Sequence, residues 1–257
     1  MPATTHPFRK KWGQNFLRDP NTITKIMGLL EPNKNDTILE IGPGNGILTD
    51  ELSKKAGHIH AVEIDPLLIK HLNDKQYQNV TIHEGDILDW DISILPERVK
   101  IIGNLPYYIS SPILFRFLGT LKWERMVLMF QKELAERIIS KEGRKSYGRI
   151  SVMSQVFCDV KIKFIISRNV FHPKPDVDSA VLSFFPKSSH LPDIIPFSTL
   201  IKHAFSQRRK KLINNLPEAH NAGVLERWAD MRPEEISPSE FVHIFERIIF
   251  DREQNKY

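Results

Sequence analysis

The chain has 257 residues, 41% hydrophobic and 26% charged, with a net charge of +5 and one cysteine. These values exclude a disordered or fibrous polypeptide, an intramolecular disulfide and a cysteine-rich zinc site. No apolar run reaches the ~18 residues a membrane helix needs, and the basic start, residues 1–11, lacks the apolar core of a secretory signal. The expectation is a reduced, cytoplasmic protein that does not enter a membrane.

Residues 36–41 read as a short buried strand ending in a Gly-rich turn. Residues 45–56 have helical spacing, 58–63 form the next strand, and 66–73 a helix with Pro66 in its first turn. Residues 80–83 and 99–103 are further strands, 110–118 a helix, 126–130 a strand and 132–140 a helix. This alternation specifies an α/β fold, Rossmann-like, with a mostly parallel sheet. Residues 160–166 and 177–185 are strand-like and too close in sequence for a helical crossover, so they are expected to pair antiparallel. Residues 186–196 read as a linker, and helical spacing resumes over 200–205, 212–216, 224–228 and 241–250. Two domains are predicted: 1–188, built on the sheet, and 189–257, small and all-α.

Glu40-Ile-Gly-Pro-Gly-Asn-Gly46 closes the first strand, and Gly42, Gly44 and Gly46 would let a ligand press against backbone. Glu63 ends the second strand, where an acid can accept ribose hydroxyls. The Gly spacing departs from the dinucleotide fingerprint, and Glu40 adds a negative charge. Both favour a sulfonium carrying an amino acid over a pyrophosphate. Asp86, after the third strand, either accepts from an adenine amino group or caps its own turn.

Asn104-Leu-Pro-Tyr-Tyr108 follows the fourth strand. An adenine N6 is a poor nucleophile because its lone pair is delocalised. Two acceptors, the Asn104 amide oxygen and a carbonyl of Leu105 or Pro106, would favour a pyramidal nitrogen aimed at a methyl donor. Tyr107 offers a stacking face for an extruded base, whereas Tyr108 reads as a core aromatic. Cys158, Met126 and Met129 read as packing residues, and His172 has no second ligand at a metal-binding spacing.

These motifs resemble the ribosomal RNA adenine N6,N6-dimethyltransferases that modify two adjacent adenosines in a hairpin loop near the small-subunit rRNA 3′ end. The resemblance runs from Lys11 to Phe185, and more loosely through the C-terminal helices. It implies a class I methyltransferase fold and S-adenosyl-L-methionine as cofactor. Asn15 and Leu17, in Gly13-Gln-Asn-Phe-Leu17, would touch that cofactor together with Gly42, Gly44, Glu63, Asp86 and Asn104. It also implies that Phe171, in Phe171-His-Pro-Lys-Pro-Asp-Val-Asp-Ser179, sits against the target base. Ile150 stands where the family segment Tyr147–Ser151 leads one to expect Leu. In-line methyl transfer needs no metal and no covalent enzyme intermediate. The partner implied is small-subunit rRNA within a pre-30S particle, met by a monomer. Basic clusters fit an RNA substrate: one at Arg9, Lys10, Lys11 and Arg18, one at residues 132–149, and a helical run Arg208, Arg209, Lys210, Lys211. Rival readings are a large-subunit rRNA adenine methyltransferase, a nicotinamide-dependent oxidoreductase and a non-catalytic RNA-binding assembly factor.

Overall fold

A computed structural model of the protein describes residues 15–120, 123–188, 191–221 and 223–254. Arg9, Lys10, Lys11, Trp12 and Gly13 lie outside them.

In chain order the elements begin with β1 (Phe16–Leu17), α1 (Pro20–Leu30), β2 (Thr37–Ile41), α2 (Ile47–Lys55), β3 (His58–Glu63), α3 (Pro66–Asp74), β4 (Val80–Glu84) and β5 (Val99–Asn104). They continue with α4 (Ser110–Leu118), β6 (Trp123–Gln131), α5 (Lys132–Ile138), α6 (Arg149–Phe157), β7 (Cys158–Ile166), β8 (Phe171–His172) and β9 (Ser179–Pro186). Last come α7 (Ile194–Ala204), α8 (Leu212–Asn215), α9 (Pro217–Asn221) and α10 (Pro238–Gln254).

Seven strands form one sheet in the order β4-β3-β2-β5-β6-β9-β7. The pairs from β4 to β6 are parallel, and β6 pairs antiparallel with β9, Phe130 opposite Ala180. The α/β class expected from the sequence is therefore the observed one. Central strands carry branched apolar residues buried on both faces, as parallel strands covered by helices require; Ile38, Leu39, Ile59, Ile101 and Ile102 have at most 1% of their surface exposed.

The chain divides into two compact units. One holds the described residues up to Ala135 together with Lys161–Phe185, the other Glu136–Val160 together with Pro186 onward. The sequence places one boundary near Ser188; in the structure the chain also leaves the first unit after Ala135 and returns at Lys161. The cause is α6, whose residues from Ile150 to Ser154 are all buried, and which packs on α7 and α10. In this second unit edge-to-face aromatic pairs fill the core, Phe197 against Phe157 at 5.9 Å and against Phe245 at 5.5 Å between centroids.

Two expectations need correction here. The predicted linker ends early, because Asp193 accepts a hydrogen bond from Ile195 N–H and starts α7. The basic run Arg208–Lys211 lies in the turn between α7 and α8, not on a helix.

In the first unit the N-terminal end of β5 is tied to the end of α1 by an ion pair whose lysine is buried. Lys100 Nζ, at the start of β5, donates to Asp36 Oδ2 at 2.7 Å and to the Glu31 carbonyl at 2.8 Å, where α1 ends. Asp36 Oδ2 also accepts from Asn33 N–H at 2.8 Å. Replacing Lys100 by Met leaves the half-buried carboxylate and the carbonyl without their cation, so the unfolding free energy should fall by about 1–3 kcal/mol. Urea unfolding measures it, and a loss below about 1 kcal/mol would mean the pair behaves as a solvent-screened one.

Candidate active site

The loops that leave the C-terminal ends of β2, β3, β4 and β5 converge on one cavity in the first unit, the usual ligand position of an open parallel sheet. The segment at Asn15–Leu17 closes one side. It is held there by pairing of β1 with β8, Leu17 opposite Phe171, and by Arg18 N–H donating to the Val170 carbonyl at 2.9 Å.

The β2–α2 loop is shaped by left-handed glycines. Gly44 has φ 60°, and a Cβ there would lie 2.9 Å from the Phe16 ring. Gly46 caps α2 at φ 83°, and its Cβ would collide with Leu72, Lys75 and Tyr77. Neither position admits a side chain without displacing its neighbours, and Gly42 and Gly44 present bare backbone to the cavity.

Glu63, 6% exposed, accepts three backbone hydrogen bonds. Oε2 takes Gly44 N–H at 3.1 Å, and Oε1 takes Ile64 and Asp65 N–H at 2.9 and 3.0 Å. Burial nevertheless raises its pKa above the ordinary carboxylate value, against the lowering effect of those donors. Of about four acceptor positions on a carboxylate one remains, which fits one ribose hydroxyl rather than two held independently. Of the two readings of Asp86, the structure shows the turn cap and also puts the residue on the cavity wall. Oδ1 accepts from Leu88 N–H at 2.9 Å and caps the turn, while the residue lines the cavity.

Glu40 is placed differently from the expectation. Its carboxyl is 1% exposed beneath the loop, bonded by the Thr49 hydroxyl at 2.7 Å, and is not among the cavity-lining groups. Desolvation pushes its pKa up to about 8, with the Thr49 hydrogen bond opposing and Glu63 adding to the rise. At neutral pH it is therefore mainly protonated in this state.

At the opposite wall, Asn104 Nδ2 donates to the Asn15 carbonyl at 2.8 Å, which fixes the amide and leaves Oδ1 without a hydrogen bond to the described residues. The Pro106 carbonyl is already engaged by Ile109 N–H at 3.2 Å and by the Ser110 hydroxyl at 2.8 Å. The Leu105 carbonyl has no donor among the described residues, which leaves it as the second acceptor. Tyr107 lines the cavity with its hydroxyl bonded to Ser179 Oγ at 2.8 Å, so the ring plane is set by β9.

Four residues depart from expectation. Phe171 is 3% exposed within the core beside Leu17 and Ile26, and it does not line the cavity. Its effect on the site runs through the β1–β8 pairing that holds Asn15 and Leu17. Tyr108, expected in the core, is 60% exposed at the cavity rim. In the other unit, Arg208 is paired with Glu234 at 2.5 Å and donates to the Arg144 carbonyl at 3.3 Å, and Lys211 is paired with Asp230 at 2.6 Å. Arg209 and Lys210 are exposed and make no ion pair among the described residues.

A family model for ribosomal RNA adenine dimethylase matches residues 5–249. The chain belongs to that family. Among relatives of this dimethylase are proteins named ribosomal RNA small subunit methyltransferase A. That of Coxiella burnetii is 39% identical over 249 residues, 93% of this chain and 96% of the relative. That of Chlorobium phaeobacteroides is 43% identical over 245 residues, 93% of this chain and 91% of the relative. Of solved structures, a dimethyladenosine transferase from Plasmodium falciparum superposes with a TM-score of 0.82 at 26% identity, covering 92% of this chain and 98% of that one. The 23S rRNA methyltransferase ErmE gives 0.68 at 26% identity, covering 91% of this chain and all of that one.

The position of Glu40 makes a testable pH dependence. Its pKa is about 8 folded against the ordinary glutamate value of 4.5, so folding takes up a proton between those limits. The associated stability is fully present below about pH 4.5 and is lost as pH rises toward 8, by up to about 1.4 kcal/mol per pH unit for one proton. Glu40→Gln keeps an acceptor for Thr49 and removes the ionisation. Its urea midpoint should gain on the wild type steadily from pH 5 to pH 8; parallel midpoints across that range would refute the buried-acid assignment.

Proposed function

We propose that the protein transfers methyl groups from S-adenosyl-L-methionine to N6 of two adjacent adenosines near the 3′ end of small-subunit rRNA. The observation that carries this reading is the pair of unengaged acceptors, Asn104 Oδ1 and the Leu105 carbonyl, in the same cavity as Glu63, Asp86 and the glycine loop.

The residues present fit the cofactor. Gly42 and Gly44 present bare backbone to the cavity, and Glu63 and Asp86 offer acceptors at successive strand ends for a ribose hydroxyl and an adenine amino group. Asn15 and Leu17 form the wall nearest Asn104. When bound, the cofactor supplies an electrophilic sulfonium methyl. Asn104 Oδ1 and the Leu105 carbonyl accept the two N6 hydrogens and hold the amine with its lone pair directed into the cavity. Tyr107, anchored through Ser179, stacks on the extruded base, an interaction worth about 1–3 kcal/mol. Alignment of the two reactants supplies most of the acceleration, and the proton leaves to solvent after transfer without a dedicated base.

We also take the unit built on the sheet as catalytic and the helical unit, Glu136–Val160 together with Pro186 onward, as the one that meets RNA, with the protein acting as a cytoplasmic monomer on a pre-30S particle. The structure contains no described helix long and apolar enough to cross a membrane. Arg209 and Lys210 present free charge to phosphates. Arg208 holds its turn through Glu234, and the exposed Lys211–Asp230 pair is weak enough to exchange for a phosphate.

Incubation with labelled cofactor and unmodified small subunits, 16S rRNA and 23S rRNA, followed by mapping, tests the reading. Dimethyl groups on two adjacent 16S adenosines are expected; label confined to 23S rRNA, or no label, would overturn it. Asn104→Ala should lower kcat by about 10²-fold or more with RNA affinity little changed, because its contact matures in the transition state. Replacing Arg209 and Lys210 together by Gln should reduce the salt slope of RNA binding by roughly 1.4–1.8, at 0.7–0.9 for each lost phosphate contact. An unaltered slope would return both to a solubilising role.

A further inference from the structure

Tyr108 has no role in the reading above, yet its placement is specific. It is a large ring, 60% exposed, on the rim of the cavity, and its hydroxyl makes no hydrogen bond to the described residues. Its phenol is held above its ordinary pKa by partial burial and by the charge of Asp86. Tyr108 and Asp86 border the same cavity, which leaves room for a flat, neutral purine between the ring and the carboxylate.

Topology makes this proximity informative. Tyr108 follows β5, whereas Asp86 follows β4, and β2 and β3 lie between them. Three strand spacings of roughly 4.8 Å each separate the two strand ends, and both Asp86 and the loop 105–109 line the one cavity between them. The two sides are also tied together. Arg116 on α4, the helix that begins just beyond Tyr108, donates to the Trp90 carbonyl, and Trp90 N–H donates to the Asp86 carbonyl at 2.8 Å. The Asp86 turn and the helix behind Tyr108 are therefore fastened to one another.

We propose that Tyr108 is the outer wall of the adenine end of the cofactor site and stacks on the purine whose amino group Asp86 receives. The neighbouring tyrosines then divide the two ligands, Tyr107 facing the target base and Tyr108 the cofactor. This rests on the cofactor assignment made under the proposed function, and the test keeps the two apart.

Titration calorimetry with S-adenosylhomocysteine, which cannot react, is carried out on the wild type, Glu63→Ala, Tyr108→Ala and Tyr108→Phe, alongside RNA binding without cofactor. Tyr108→Ala should weaken S-adenosylhomocysteine about tenfold to hundredfold. Tyr108→Phe should stay within about twofold of wild type, and RNA affinity without cofactor should be unchanged. The exposed position means that Tyr108→Ala should melt with the wild type. If Glu63→Ala loses the ligand while Tyr108→Ala binds it as the wild type does, the wall assignment fails and the cofactor site stands. If Tyr108→Ala instead loses RNA affinity with ligand affinity intact, the ring belongs to the RNA and the proposal is overturned. Absence of binding to the wild type would remove the cofactor reading and this inference with it.

Discussion

Glu63 binds three backbone N–H groups from two different loops, and the geometry of the cavity depends on that junction. Gly44 comes from the turn after β2, and Ile64 and Asp65 from the turn after β3, so one carboxylate sets the spacing between the two loops. It does so almost wholly buried, where hydrogen bonding to a charged acceptor is strong and the loss of any donor is costly. Asp65, whose N–H is one of those donors, in turn caps α3 through Leu67 N–H at 3.0 Å. The helix, the strand end and the glycine turn are thereby settled by a single side chain.

The opposite wall is built on a different economy, in which side chains are immobilised by using the groups the chemistry does not need. Asn104 gives its N–H₂ end to the Asn15 carbonyl, and Tyr107 gives its hydroxyl to Ser179, leaving an amide oxygen and a ring face for a ligand. The Pro106 carbonyl is committed to the first turn of α4. Pre-set acceptors of this kind need little reorganisation during reaction. Glu40, by contrast, stays beneath the loop as a mostly neutral acid, supporting Thr49 and α2.

The sequence was most legible where one signal dominated. The apolar strands β2, β3 and β5, each ending at Gly or an acid, are visible in the order of residues, and so are the site residues at their C-terminal ends. Helix α1 carries an Asp19-Pro20 start, with Asp19 accepting from Thr22 N–H at 2.8 Å, a capping signal that reading strand by strand passed over. Helix α6 was obscured because Ile150, Val152 and Val156 are β-branched and its buried faces leave no polar stripe. Tyr108 and Phe171 exchanged places relative to expectation: an aromatic residue's burial is decided by which loop covers it, and the β1–β8 pairing that covers Phe171 joins residues more than 150 positions apart. The basic run could not reveal that Arg208 is engaged, since Glu234 is distant in sequence.

The acceptor pair at Asn104 and Leu105 has a consequence for turnover when it is read as the amine-binding site. An unmodified N6 carries two hydrogens and satisfies both acceptors. After one methyl group it satisfies one, and after two it satisfies none, leaving two desolvated oxygens facing a hydrocarbon surface. Each step therefore weakens the grip on the base by the cost of an orphaned acceptor, about 1–3 kcal/mol. The finished base is expelled by the same atoms that first captured it, and an adenosine bearing a single methyl is held firmly enough to be worked on again. Processing thus stops at two because the site has nothing left to hold.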